Sequence, residues 1–97
     1  EVVMIGVLTH HWAKNDCFLK ADTLLKGNGE AQSKAPGFVH RRTLYSLSDP
    51  NQITSLVIWE NEEIYDKWKG SPERSVAMKG AEELWATPPE SQRFSTD

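Results

Sequence analysis

The chain has 97 residues, enough for one domain with a small core, and its 11 basic and 14 acidic side chains leave a formal net charge of −3. The charges are mixed, and the densest basic cluster is only His40-Arg41-Arg42, which argues against nucleic acid or an anionic membrane surface as a partner. Cys17 is the single cysteine, so no internal disulfide is possible. No apolar run approaches the ~20 residues of a membrane span, and the amino end lacks the charged-then-apolar order of a secretory signal; a reducing cytoplasm is the expected compartment.

The first expected element is the nearly continuous apolar run from Val2 to Thr9, whose β-branched residues suit a strand covered on both faces. Alternation puts Val2, Met4, Gly6, Leu8 and His10 on one side, and Val3, Ile5, Val7, Thr9 and His11 on the other. Asn15 or Asp16 is placed to cap a helix in which Phe18, Ala21 and Leu25 recur at helical spacing. Gly27-Asn28-Gly29 predicts an interruption of that helix, with room for one or two further turns over Glu30 to Ala35.

Pro36-Gly37 turns the chain into a second strand, Phe38 to Leu47. Ser48-Asp49-Pro50-Asn51 is a turn cluster, and Ile53 to Trp59 pairs back as the third strand of a hairpin. Asn61 is a good N-cap, Glu62 and Glu63 suit the positive end of a helix dipole, and Ile64 and Trp68 share a face four residues apart. Gly70 closes this helix. Ser71 caps another, with Pro72 in its first turn and Val76, Ala77, Gly80, Ala81 and Leu84 as its apolar stripe. Thr87-Pro88-Pro89 is expected to end that helix, and Arg93 to Thr96 to form a short last strand.

The order β-α-β-β-α-β is the α+β, ferredoxin-like pattern, in one domain over residues 1–97. Helices cover one face of such a sheet, yet the third strand is apolar on both: Val57 and Trp59 on one side, Leu56 and Ile58 on the other. An uncovered apolar face is costly in water, so a homodimer packed sheet to sheet is expected.

The run from Pro36 to His40, the strand ending Trp59-Glu60, the helix carrying Trp68, and Ser71-Pro72-Glu73 resemble the antibiotic biosynthesis monooxygenase family. That resemblance implies a ferredoxin-like half-barrel that pairs into a dimeric α+β barrel. It also implies a cofactor-independent monooxygenase-like role on a small hydroxylated aromatic or quinol, with no cofactor and no metal. Trp68 matches a tryptophan that lines the substrate pocket in related oxygenases and presses on the haem in the haem-degrading branch. That branch uses an axial histidine where this chain has Met78, and no histidine follows Arg41.

No phosphate-binding glycine loop, paired-cysteine metal signature or His-Glu-x-x-His is present, so the expected site is a pocket between sheet and helices. Trp68 is the candidate to stack on a planar ligand, with Tyr65 able to hydrogen-bond a substrate oxygen and Ala77 and Gly80 leaving space. His10 and His40 are the candidate general bases, giving His10, His40 and Trp68 as the catalytic set. Arg41 and Arg42 are candidates to hold an acidic substituent or to pair with acids across a dimer. Each residue also has a plainer reading, as core packing, close helix approach or a solvated strand face. The competing functions are a non-enzymatic small-molecule-binding dimer and, against the missing histidine, haem binding.

Overall fold

The computed structural model describes residues 3–97, so the Val2 start expected for the first strand lies outside the described residues. The elements are β1 (Ile5–Ala13), α1 (Phe18–Ser33), β2 (Phe38–Tyr45), β3 (Gln52–Trp59), α2 (Glu62–Lys69), α3 (Pro72–Ala77), a 3-10 turn (Ala81–Glu83) and β4 (Trp85–Ser95). Four antiparallel strands lie in the order β2-β3-β1-β4, the ferredoxin-like arrangement. The helices cover one face, over a core built on Ile5, Val7, Val57, Trp59 and Trp68. A second cluster of Ala13, Ala21, Leu25 and Ile53 lies under the amino-terminal part of α1.

Four expectations need correction. First, α1 is not interrupted at Gly27-Asn28-Gly29 but runs unbroken to Ser33. Its buried face passes from Ala21 and Leu25 to Asn28, Gly29 and Gln32, so the apolar signal fades while the helix continues. Second, neither Asn15 nor Asp16 caps it. Cys17 holds the N-cap position without a side-chain bond, while Asn15 accepts from Asn51 Nδ2 at 3.1 Å.

Third, α3 ends at Ala77, because Gly80 takes a left-handed φ of 83° that no helix continues through. Fourth, Pro88 and Pro89 do not follow a helix but sit inside β4, which is much longer than the Arg93–Thr96 strand expected. β4 is an edge strand. His10 pairs with Glu90 and Trp12 with Thr87, so the two prolines together oppose His11 in a bulge. A bulge at an edge is where residues without an N–H are tolerated.

Candidate functional site

The short helix α2 puts Trp68 over the sheet. Asn61 Oδ1 accepts from Ile64 N at 2.8 Å and fixes its start, while Glu62 and Glu63 occupy the first turn and Lys67 and Lys69 the last, each favouring the helix dipole. Ser71 begins α3 in the same way, accepting from Arg74 N at 3.2 Å, and its hydroxyl also donates to Trp68 O at 2.7 Å. Trp68 then stacks on Trp59, with ring centroids 6.0 Å apart and planes 28° apart. Phe38 meets Trp59 edge-on at 5.8 Å, and Tyr65 lies 5.9 Å from it. Burial raises the Tyr65 phenol above its usual value, and Arg93 lies over its ring at 4.8 Å.

Two spaces share Trp68 as a wall. The outer one, about 660 Å³, lies between the end of α1 and α2 and α3, with Ala31, Ala35, Pro36 and Ile64 as apolar lining and Lys34 and Lys67 among its charged residues. The inner one is about 60 Å³, room for a few waters or a group of that size, and it lies between the sheet and the helices. Its polar lining includes His11, Asn28, Gln32, Arg41 and Arg74.

Arg41 comes from β2 and crosses under α1. Its Nη1 donates to Gln32 Oε1 at 2.6 Å and its Nη2 to Leu25 O at 3.3 Å. The crossing needs Gly29: a Cβ there would stand 2.6 Å from Arg41 Nε. The Arg41 guanidinium is pushed below its ordinary value by burial alone. Asn28 is buried, and its Oδ1 finds no hydrogen-bond partner.

His11 lies on the helix side of β1. Its Nδ1 donates to Ile53 O at 3.3 Å, leaving Nε2 as the ring's lone pair, and Trp85 packs against it with centroids 4.8 Å apart. Burial lowers its pKa to about 4, against the raising effect of the Ile53 bond, so the ring is neutral at pH 7.

The expected site residues therefore separate. Trp68 and Tyr65 meet at the inner space. His10 and His40 lie on the opposite, helix-free face of the sheet: His10 pairs with Thr54 and His40 with Ile58. His10 Nδ1 lies 2.8 Å from Thr54 Oγ1, and His40 is exposed. Ala77 faces shallow grooves along α1, and neither it nor Gly80 lines the two spaces at Trp68. The expected site set does not include His11, Asn28 or Gln32, all three of which line the inner space. For His11 the signal was present, because alternation put it beside Val7 and Thr9; for Asn28 and Gln32 it was their position seven and eleven residues after the buried Ala21.

The outer space has no histidine, cysteine, methionine or tyrosine, the usual axial ligands of haem iron, in its lining. Met78 lines the inner space, which is far too small for one. The residues present do not fit that group.

A family model described as antibiotic biosynthesis monooxygenase matches residues 4–80. Among solved structures, a conserved protein from Methanosarcina mazei Go1 is similar at a TM-score of 0.89 and 19% identity, covering 99% of this chain and 95% of that one. A Nitrosomonas europaea protein provisionally assigned as an antibiotic biosynthesis monooxygenase gives 0.90 and 14%, covering 99% and 92%. SnoaB, a cofactor-independent oxygenase from Streptomyces nogalater, gives 0.86 and 12%, covering 98% and 94%. No curated protein matches the chain.

Proposed function

The chain belongs to the antibiotic biosynthesis monooxygenase family, and from that premise we propose that it is a cofactor-independent monooxygenase-like protein acting on a hydroxylated aromatic or quinol bound beside Trp68. The observation that carries this reading is the position of Trp68, the common wall of an apolar outer groove and a small polar cavity. Trp68 gives a planar ring in the outer groove an aromatic wall, and polar side chains suited to oxygen substituents line the cavity that shares this wall. A substrate of this class supplies its own electrons once it has lost a proton. The protein's tasks are then to bind the ring, favour the ionised form and keep water from the intermediate.

A proton acceptor is the weakest part of the site. His10 and His40, the expected bases, face away from it, and His11, which faces it, takes up a second proton only below about pH 4. That observation favours a second reading, a small-molecule-binding dimer without turnover. Oxygen uptake over a panel of phenols and quinols separates the two. Uptake that disappears in Trp68→Phe while binding persists supports the oxygenase. Binding with no uptake for any member of the panel leaves the second reading.

The working unit in this proposal is a homodimer. The helix-free face carries Leu8, Leu56, Ile58, Leu44 and Phe94, with Leu44 44% and Phe94 43% exposed in the single chain. A second copy packed on that face would cover them. His10 and His40 would then lie at the subunit contact. Among the described residues no helix is long and apolar enough to cross a membrane; a cytoplasmic location completes the proposal, supported by the single cysteine.

A further inference from the structure

The inner cavity has an unbalanced charge. Arg41 and Arg74 both line it, no aspartate or glutamate does, and among the described residues neither arginine has a carboxylate within ion-pair distance. Every other strong contact of the Arg41 guanidinium is to a neutral oxygen, Gln32 Oε1 or Leu25 O. A half-buried cation held by neutral acceptors is costly unless an anion joins it. The chain nevertheless holds this cation in place, packed against Gly29 of α1, where a Cβ would stand 2.6 Å from Arg41 Nε.

Beside Arg41, Asn28 is 7% exposed and its amide end is unmatched: Oδ1 has no partner, and turning the amide about would offer Nδ2 in its place. The volume of about 60 Å³ admits a carboxylate or an aromatic ring's oxygen substituent, and not the ring itself. We infer that this cavity is an anion subsite, in which Arg41, positioned by Gly29 and assisted by Arg74 and Asn28, takes the ionised oxygen group of the ligand. The pairing of planar guanidinium with two-oxygen or one-oxygen anion is the interaction for which arginine is suited.

This deepens the proposed function, and the attachment of an aromatic ring to the anion rests on it. It assigns the ligand to acidic aromatics, carboxylates or ionised phenols. It also replaces a base with a cation: an arginine that stabilises the ionised oxygen lowers the ligand's own pKa, so the proton passes to solvent water as the anion binds and no strong acceptor on the protein is required.

The test is equilibrium binding under nitrogen, followed by tryptophan fluorescence and calorimetry, of benzoate, its uncharged match benzamide, and formate. Three proteins are compared: the native chain, Arg41→Gln and Gly29→Ala. Gly29→Ala favours the helix while its methyl displaces the guanidinium, so it keeps the test open if Arg41→Gln does not fold. Benzoate is expected to bind the native chain about tenfold or more tightly than benzamide, the worth of a charge-assisted hydrogen bond, with that preference lost in both variants. Binding of formate as well assigns the site to a free small anion; binding of benzoate alone assigns it to an aromatic acid. Equal binding of benzoate and benzamide with no formate binding, no binding by any of the three, or a preference that survives both variants overturns the subsite. Because oxygen is absent, a benzoate preference without oxygen uptake elsewhere would overturn the oxygenase reading alone, and uptake without the preference would overturn the subsite alone.

Discussion

Trp68 lies against Trp59 with ring centroids 6.0 Å apart, and this stacked pair, with Tyr65 beside it, is the aromatic contact that holds the eight-residue helix α2 on the sheet. Trp59 is fully buried and Trp68 is 5% exposed. Trp68→Ala is expected to lower unfolding free energy by about 3–5 kcal/mol, the usual range for emptying a buried aromatic position. Trp68→Phe keeps an aromatic disc and is expected to lose less. Urea denaturation of both variants checks the order, and equal losses would contradict it.

The two caps beside Trp68 give a second prediction. Asn61 and Ser71 each satisfy one backbone N–H, and the Ser71 hydroxyl also binds Trp68 O. Asn61→Ala and Ser71→Ala are each expected to cost about 1 kcal/mol. The same denaturation series measures this; a change near zero at either position would show that water replaces the cap without loss.

Much of this architecture is legible in the sequence. The ferredoxin-like order, the Pro36-Gly37 turn, the β2–β3 hairpin, both caps and the burial of Trp59 follow from alternation, turn residues and cap chemistry, all of which act within a few residues. The errors came where a distant partner overrides a local preference. Gly27-Asn28-Gly29 reads as a break, yet Arg41 fills the space over Gly29 and the helix continues. Pro88-Pro89 reads as the end of a helix, yet the edge position and the bulge opposite His11 admit them to a strand. Choosing among histidines required knowing which face the helices cover, and His11, not His10 or His40, is on it.

The glycines of α1 make a paired prediction. A Cβ at Gly27 meets nothing within 4 Å, whereas at Gly29 it would meet Arg41 Nε at 2.6 Å. Gly27→Ala is therefore expected to stabilise the fold by up to about 1 kcal/mol through the helix alone. Gly29→Ala has the same helical benefit but must move the guanidinium from Gln32, so its net gain is expected to be smaller or negative. Equal gains in paired denaturation curves would mean that Arg41 is not held as described.

His11 sets an acid limit on stability. Its pKa is about 4 in the folded chain against the ordinary 6.5, because burial disfavours the charged ring. The unfolded chain takes up this proton first as pH falls. The stability from the neutral, buried ring is present above pH 6.5 and is lost as pH falls through about 4, amounting to about 3 kcal/mol in full. His11→Asn removes the titration, so its stability between pH 7 and pH 4 is expected to fall less than that of the native chain. Parallel slopes in that window would rule out this role.

The helix-free sheet face gives the test of assembly. Phe94 on β4 and Leu44 on β2 both point there, as their pairing with Gly6 and Thr54 requires, and each remains more than two-fifths exposed in one chain. Because they contribute little to the fold of a single chain, charge introduced there separates association from folding. Burying a side chain of this kind contributes on the order of 2 kcal/mol, and a two-fold interface would count each position twice. The native chain is expected to sediment as a dimer, and Phe94→Glu and Leu44→Glu to sediment as monomers with unchanged far-ultraviolet circular dichroism. Leu56 and Ile58 would make poorer probes, since both are already half-buried within the sheet and a charge there would weaken the chain itself. A native chain that sediments as a monomer would leave this face exposed to water and remove the dimer from the proposal.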